Sequence, residues 1–217
     1  MVILIASEKG GSGKTTIAIT IAAMLAGNGR DVLLLDTDTQ ASASEWGSLR
    51  DNVAAYPRLT VLQKTGAVNK EVAKLVDKYD DIVIDAGGRD SEEMRSALLV
   101  AHVWYIPVRA SQFDVWTIGK AVSLYETASL YNKELCARVI VNGASTHASH
   151  NDLDSVTEVV HEITDLFDVS PCVFSERNSF KKAAAQGCCV TELTGKSYDK
   201  KAAMEAEALY MEIVNNG

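Results

Sequence analysis

The sequence has little of several features that assign a chain to a specialised class of protein. It contains only three prolines and four cysteines in 217 residues. None of Cys136, Cys172, Cys188 and Cys189 forms the Cys-x-x-Cys spacing of a metal or redox site, so we expect buried thiols in a reducing compartment. No apolar run approaches the roughly 18 residues of a membrane span, and no secretory signal is visible. These absences predict a soluble, cytoplasmic protein.

Basic residues are also in deficit, and they are unevenly distributed. The formal net charge is −8, which argues against a surface that is basic all over. Residues 175–201 nevertheless hold six basic residues against three acidic ones, a net charge of +3. Such a segment is either an ordinary solvated face or a surface for a polyanion such as DNA.

What the sequence does contain is an alternation of apolar runs with helical patterns. The apolar runs predict strands at Val2–Ser7, Val32–Asp36, Leu59–Gln63, Asp81–Asp85, His102–Val108, Ala137–Asn142 and Val169–Phe174. The intervening patterns predict helices at Thr15–Asn28, Val68–Tyr79, Glu92–Ala101, Asp114–Tyr131, Asp152–Phe167, Ser179–Gln186 and Ser197–Val214. We therefore predict a single α/β domain over residues 1–217, with a doubly wound, mostly parallel sheet and helices on both faces. In such folds ligands bind at the carboxyl ends of the strands.

A Gly-rich turn follows the first predicted strand and opens the first predicted helix. Its sequence is Glu-Lys-Gly-Gly-Ser-Gly-Lys-Thr-Thr, from Glu8 to Thr16. Glycines allow the backbone to curl so that several N–H groups point at one anion, and the helix dipole adds positive potential there. Lys14 has the position that reaches the β- and γ-phosphates, and Thr15 the position that puts a hydroxyl on Mg²⁺. The expected triphosphate cradle consists of Gly10, Gly11, Ser12, Gly13, Lys14, Thr15 and Thr16.

Carboxylates end two of the other predicted strands. Asp36 and Asp38 follow one strand, and Asp85 ends another. A carboxylate at the end of an apolar strand needs a cation or a donor, and Mg²⁺ near Thr15 would supply one. The alternative for each is an Asp that caps the next helix. With the Gly-rich turn upstream, we favour the metal site.

These segments together resemble the ParA/MinD family of P-loop ATPases. The run from Lys9 to Thr15 is similar to the deviant Walker A motif of that family, and Asp36-x-Asp38-x-Gln40 resembles its first switch. The strand Asp81–Asp85 resembles Walker B. A late segment from Arg177 to Glu192 resembles another ParA pattern, so the likeness extends from Ser7 to about Glu192.

The resemblance implies a role for each matched residue. Lys9 would reach across a dimer to the partner's nucleotide, and Lys14 would bind phosphate. Asp38 would orient the attacking water, while Asp36 and Asp85 would support Mg²⁺ with Thr15. The adenine base of ATP would lie near Asn142 and residues 107–114. The alternative for Asn142 is that its side chain caps a loop. The implied activity is a weak, partner-stimulated Mg-ATP hydrolysis.

The resemblance also implies partners. The Gly-rich turn begins at residue 8, which leaves no room for an N-terminal helix-turn-helix, and this indicates a small plasmid-type ParA protein. Such a protein would form an ATP-dependent homodimer, bind DNA non-specifically on the nucleoid, not bind membrane, and act with a centromere-binding partner of the ParB or ParG kind in plasmid partition. The candidate DNA contacts are Arg177, Lys181, Lys182, Lys196, Lys200 and Lys201.

Other functions on the same fold stay open. The main alternative is a ParA-like positioner of a protein cargo or a DNA-transfer accessory ATPase. A MinD-like membrane ATPase is disfavoured because Glu205, Glu207 and Glu212 of the last helix would be repelled by anionic lipid. A metabolic ligase would need a substrate motif that the sequence lacks. The sequence departs from the ParA pattern at Thr39, which stands in place of Pro, and at Ala86-Gly87-Gly88, which stands in place of Thr-Pro-Pro. The glycines of the second departure predict a more mobile second switch.

Overall fold

The computed structural model describes residues 1–88, 90–109, 115–146 and 149–216. The strands are β1 Val2–Ile5, β2 Val32–Asp36, β3 Thr60–Gln63, β4 Asp81–Asp85, β5 Val103–Val108, β6 Cys136–Ala144 and β7 Phe167–Ser175. The helices are α1 Lys14–Gly27, α2 Ser42–Asp51, α3 Asn69–Leu75, α4 Glu92–Leu98, α5 Val115–Ser129, α6 Ser149–Ile163, α7 Asn178–Ala184 and α8 Lys200–Asn216. Short 3₁₀ turns at Val190–Glu192 and Gly195–Ser197 precede α8.

Within these residues the strands form one sheet of seven, in the order β3-β2-β4-β1-β5-β6-β7. Each neighbouring pair is parallel. This confirms the predicted doubly wound α/β fold. Continuous apolar strands such as Val-Leu-Leu-Leu in β2 are buried throughout, as a sheet covered on both faces requires.

The two faces of the sheet hold separate apolar clusters because side chains alternate along each strand. Ile3 and Ile5 of β1 point into a cluster made with α1, α2, α7 and α8. Val2 and Leu4 point into a second cluster made with α3, α4, α5 and α6. The sheet is therefore a rigid support with a helical layer on each side.

The structure differs from the sequence expectation at α2. No helix was expected at Ser42–Asp51, where serines and an internal Gly47 break the apolar periodicity. The helix is held by a few large side chains, since Trp46 and Arg50 are both 3% exposed. Among the described helices, none has the length and apolarity that crossing a membrane requires.

Strand order determines where a site can form. β1 lies between β4 and β5, and β2 lies on the other side of β4. The segments that follow these strands therefore meet at one edge of the sheet, which brings Ser7–Gly13, Thr37–Ala41, Ala86–Gly88 and Arg109 together.

Candidate functional site

The Gly-rich turn between β1 and α1 has the backbone conformation of an anion cradle. Gly11 (φ 72°) and Gly13 (φ 89°) are in the left-handed region, and Gly13 stands at the N-cap of α1. A Cβ on Gly13 would lie 1.9 Å from Nδ2 of Asn142, so no side chain fits there. The Ser7 and Ser12 hydroxyls are 2.7 Å apart and join the two ends of the turn. The turn is thus held in a tight curl at the amino end of a helix.

Lys14 is a buried cation in this curl. Its side chain folds back so that Nζ donates to the Lys9 carbonyl oxygen at 3.0 Å. Burial lowers the pKa of Lys14, and the Asp85 and Asp38 carboxylates oppose that change. An ammonium group in this position is suited to phosphate oxygens, since an anion would restore the solvation that burial removes.

Asp85, the last residue of β4, is the most unusual group of the site. It is 1% exposed, and neither of its carboxylate oxygens has a hydrogen-bond partner among the described residues. Burial raises the pKa of Asp85 to about 7, an effect that the Thr15 hydroxyl and Lys14 oppose and the Asp36 charge reinforces. Mg²⁺ prefers oxygen ligands, and the Asp85 carboxylate and the nearby Thr15 hydroxyl would provide them. The residues present therefore fit the predicted metal ion.

Asp36 has a different environment from Asp85. It is fully buried, and its carboxylate accepts from the Ser44 amide and hydroxyl, each at 2.8 Å, and from the Asp38 amide at 3.1 Å. These bonds hold the first turn of α2, as in the helix-capping alternative. The geometry favours an indirect role for Asp36, in which it fixes the segment that carries Asp38.

Asp38 lies on the cleft side of this segment. Its carboxylate accepts from the Gln40 amide at 2.9 Å, and a Cβ on Gly87 would lie 3.5 Å from the Asp38 carboxyl carbon. Next in the chain, Gly88 packs against the cradle, since its Cβ would lie 3.3 Å from the Gly10 nitrogen and 3.2 Å from Lys14 Nζ. Gly88 thus has a packing reason, since it lets the segment after β4 approach the cradle closely, whereas a Cβ on Gly87 would make only ordinary contact with Asp38. The loops enclose a cleft of about 510 Å³.

Asn142 contacts the cradle through its amide. Its Nδ2 donates to the Ser12 carbonyl oxygen at 2.5 Å, and the side chain is buried. This contact gives Asn142 a supporting role on the Gly-rich turn and does not bear on the base. Residues 110–114 of the loop expected near the base lie outside the described residues.

Arg109, the residue directly after β5, lies within residues 107–114, but sequence reasoning gave it no role of its own. Its Nε donates to the Gly11 carbonyl oxygen at 3.1 Å. The available signal was its position, because a polar residue at the carboxyl end of a central parallel strand lies at the ligand edge.

The remaining candidate residues are Lys9, Thr16 and the basic residues of segment 175–201. Lys9 is half-buried, and its action across a dimer stays a prediction. Thr16 lies in the first turn of α1, as expected for the cradle. In the basic segment, the five lysines are exposed: Lys181, Lys182, Lys196, Lys200 and Lys201. Arg177 instead forms an ion pair with Glu205 at 2.9 Å, and its side chain is 15% exposed. Its charge is therefore largely neutralised within the fold and is a poor candidate for a DNA contact.

Comparison with known proteins agrees with this geometry. The family model described as the CobQ/CobB/MinD/ParA nucleotide binding domain matches residues 3–187. The protein ParA of Rhizobium radiobacter is 30% identical over 125 residues, which are 54% of this chain and about half (52%) of that protein. Maintenance of carboxysome distribution protein A of Halothiobacillus neapolitanus is 26% identical over 216 residues, 97% of this chain and 94% of that protein.

A solved structure shows the same fold. The putative plasmid partition protein of Borrelia burgdorferi B31, bound to AMPPNP, superposes with a TM-score of 0.72 at 23% identity, covering 100% of this chain and 98% of that one. The family match includes the Gly-rich turn, Asp36, Asp38 and Asp85. This chain therefore belongs to the CobQ/CobB/MinD/ParA family of nucleotide-binding domains, with ParA among its relatives.

Proposed function

We propose that this chain is a ParA-type ATPase that binds Mg-ATP in the cleft, dimerises around it and hydrolyses it slowly. The observation that carries the proposal is the combination of a Gly-rich helix N-terminus with two complementary buried charges. Among the residues that the structure describes, no carboxylate is hydrogen-bonded to the buried Lys14 ammonium group, and the Asp85 carboxylate has no hydrogen-bond partner. A triphosphate would bind to the Lys14 ammonium group, and a divalent cation would bind to the Asp85 carboxylate.

Each side chain has a distinct part in the proposed hydrolysis. The cradle amides and Lys14 bind and orient the phosphates. Asp38, on the cleft side of Gly87, holds and orients the attacking water. Thr15 and Asp85 would hold Mg²⁺, which neutralises charge on the phosphate oxygens. Asp36 fixes the Asp38 segment through the amides of Asp38 and Ser44.

Dimerisation completes the proposed site. Phosphoryl transfer needs positive charge near the transferring and leaving oxygens, and Lys14 is the one buried lysine in the described part of the chain. Lys9 of a second copy would supply another cation, as the resemblance implies. Turnover would then rise with protein concentration, which a monomeric enzyme would not show.

The test of the nucleotide function compares two site variants with the wild type. Lys14→Ala is expected to lose Mg-ATP binding. Asp38→Ala is expected to retain binding and lose about 100-fold or more in turnover. Lys64→Ala is the control, because the Lys64 side chain is 40% exposed and its ammonium group pairs at 3.5 Å with Glu71, whose side chain is 44% exposed. Absence of Mg-ATP binding by the wild type, or unchanged turnover in Asp38→Ala, would contradict the proposal.

We further infer that the ATP-bound dimer binds DNA non-specifically and acts in plasmid partition with a centromere-binding partner. The exposed lysines of α7 and α8 support this, since dimerisation would join two weak basic surfaces. The relatives named ParA and plasmid partition protein support it as well.

A second candidate is the positioning of a protein cargo. It is favoured by the relative named for carboxysome distribution, which aligns over nearly the full length of this chain. This candidate needs the same nucleotide site. The two are distinguished by the neighbouring gene, because a small DNA-binding protein encoded beside this chain indicates partition.

A further inference from the structure

Arg109 and Asn142 contact consecutive carbonyl groups of the Gly-rich turn. Arg109 follows β5, and its Nε donates to the Gly11 oxygen at 3.1 Å. Asn142 lies in β6, the neighbouring strand, and its Nδ2 donates to the Ser12 oxygen at 2.5 Å. Two adjacent strands thus each hold one peptide group of the turn.

The space around Arg109 accounts for its orientation. Gly143 has φ 72°, and a Cβ there would lie 3.3 Å from both Cζ and Nε of Arg109. The absence of that carbon lets the guanidinium lie directly against the β6 backbone. Its Nε–H is thereby directed at the turn.

Because the peptide group is rigid, the hydrogen bonds to the Gly11 and Ser12 oxygens also fix the directions of the Ser12 and Gly13 N–H groups. In a trans peptide the C=O of one residue and the N–H of the next point in opposite directions. Fixing the Gly11 oxygen on Arg109 therefore directs the Ser12 N–H away from Arg109, and fixing the Ser12 oxygen on Asn142 directs the Gly13 N–H away from Asn142. Amides of such turns are the groups that cradle the α- and β-phosphates.

We propose that Arg109 is a positioning residue that pre-orients the Gly-rich turn for phosphate binding, with Asn142 as its counterpart on β6. The inference rests on the proposed nucleotide function and adds to it a residue outside the sequence motif. Arg109 acts through the Ser12 amide and not by touching the terminal phosphate. Its loss should therefore weaken ADP and triphosphate binding by the same factor.

Substitution by glutamine separates positioning from charge. The Nε2 of glutamine is the same number of bonds from Cα as the Nε of arginine, so Arg109→Gln places a neutral N–H donor where the bond to Gly11 forms. Arg109→Lys keeps the charge but has a carbon at that position and its donor one bond further out. Arg109→Ala removes both features.

The experiment is calorimetric titration of the full chain with Mg-ADP and with Mg-AMPPNP. We expect Arg109→Ala to bind both nucleotides on the order of 10-fold more weakly, Arg109→Lys to resemble it, and Arg109→Gln to stay within about threefold of the wild type. In amide NMR spectra of the nucleotide-free protein, the Ser12 signal should shift in Arg109→Ala and return in Arg109→Gln. Arg58→Ala, which removes an exposed arginine elsewhere, is the control.

The contrary outcomes are distinct from one another. Unchanged affinities in Arg109→Ala would overturn the positioning role alone. A loss confined to AMPPNP would instead indicate direct contact with the terminal phosphate, and recovery by Lys but not Gln would indicate a charge effect; either overturns the inference. If the wild type bound neither nucleotide, the proposed function would fail together with this inference.

Discussion

Arg50, which is buried, and Glu192, which is half-buried and 142 residues away in the chain, form a two-point ion pair. Arg50 Nη2 lies 2.7 Å from Glu192 Oε1, and Nη1 lies 2.9 Å from Oε2. The guanidinium also lies over the rings of Trp46 and Tyr56, at 5.3 and 5.2 Å from their centroids. The pair anchors the end of α2 to the Val190–Glu192 turn. Because Asp36 accepts hydrogen bonds from Ser44 in the first turn of α2, one helix joins the candidate nucleotide loop to the segment that carries the exposed lysines.

Removing one partner of this pair should destabilise the protein strongly. Arg50→Met leaves a half-buried carboxylate whose one remaining donor in the described part of the chain is the Cys189 amide. We expect a loss of about 3 kcal/mol in the free energy of unfolding. The double variant Arg50→Met, Glu192→Gln should recover part of that loss, since no charge is left unpaired. Denaturant titration measures both values. The partly exposed Lys64–Glu71 pair gives a control, since Glu71→Gln should leave stability nearly unchanged. Equal stability of Arg50→Met and wild type would show that the pair contributes nothing.

Asp85→Asn should stabilise the nucleotide-free protein. The raised pKa of Asp85, about 7 against 3.8 for a free carboxyl, means that the folded state holds its proton where the unfolded state releases it. Stability contributed by this group therefore falls as pH rises from about 4 to about 7, and the penalty is complete above 7. At pH 8 we expect Asp85→Asn to be more stable by about 2–4 kcal/mol and to lose any stabilisation by Mg²⁺ with nucleotide.

The matched control for Asp85 is Asp36, its neighbour across the β2–β4 pair. The Asp36 carboxylate accepts three hydrogen bonds, so Asp36→Asn should lower stability. Thermal unfolding of both variants at pH 5 and pH 8 gives the comparison. A destabilised Asp85→Asn at pH 8 would contradict the view that this carboxylate is kept for a ligand.

Gly88→Ala should weaken nucleotide binding without unfolding the protein. The added methyl group would lie 3.2–3.3 Å from Lys14 Nζ and the Gly10 backbone, which must move to accept it. A loss of about 10-fold in Mg-ATP affinity is expected from displacement of the cradle and its lysine. The control is Gly119→Ala in α5, where the added methyl group would have no atom within 4 Å. This variant should have wild-type affinity for Mg-ATP. Equal affinities in the two variants would show that the contact between Gly88 and the cradle has no role in binding.

The exposed lysines should determine the salt dependence of DNA binding. Neutralising Lys181, Lys182, Lys200 and Lys201 together is expected to reduce the slope of log affinity against log salt, because fewer counterions are released. A control of equal charge removes four exposed lysines elsewhere: Lys70, Lys74, Lys78 and Lys133. If both quadruple variants lost affinity equally, the segment 175–201 would not be the DNA surface.

Most of the fold was predictable because the strands are continuous apolar runs. The predicted and observed bounds agree at β2 and β4, and the order of elements was anticipated apart from α2. The sequence of α2 has no apolar periodicity that predicts a helix, and tertiary contacts of Trp46 and Arg50 hold it in place. β6 and β7 extend beyond their predicted ends because pairing with each other adds residues of mixed polarity.

The candidate site was predictable where a motif defines it and not where tertiary contacts do. The Gly-rich turn, Asp38 and Asp85 lie close together, since both carboxylates act on the charge of Lys14, and their roles stay predictions. The capping contacts of Asp36, the amide of Asn142 on the turn and the pairing of Arg177 with Glu205 depend on partners distant in sequence. Arg109 belongs to no motif, and the role that we propose for it follows from its place after β5, the strand next to β1.

The most direct test of the proposed function is retention of duplex DNA by the Asp38→Ala protein in Mg-ATP and in Mg-ADP. This variant is expected to bind ATP and to stop before hydrolysis, so the ATP-bound dimer accumulates. We predict salt-sensitive DNA retention in Mg-ATP and none in Mg-ADP. A dimer that forms with ATP and retains no DNA in either nucleotide would contradict the partition function and leave the protein-cargo candidate.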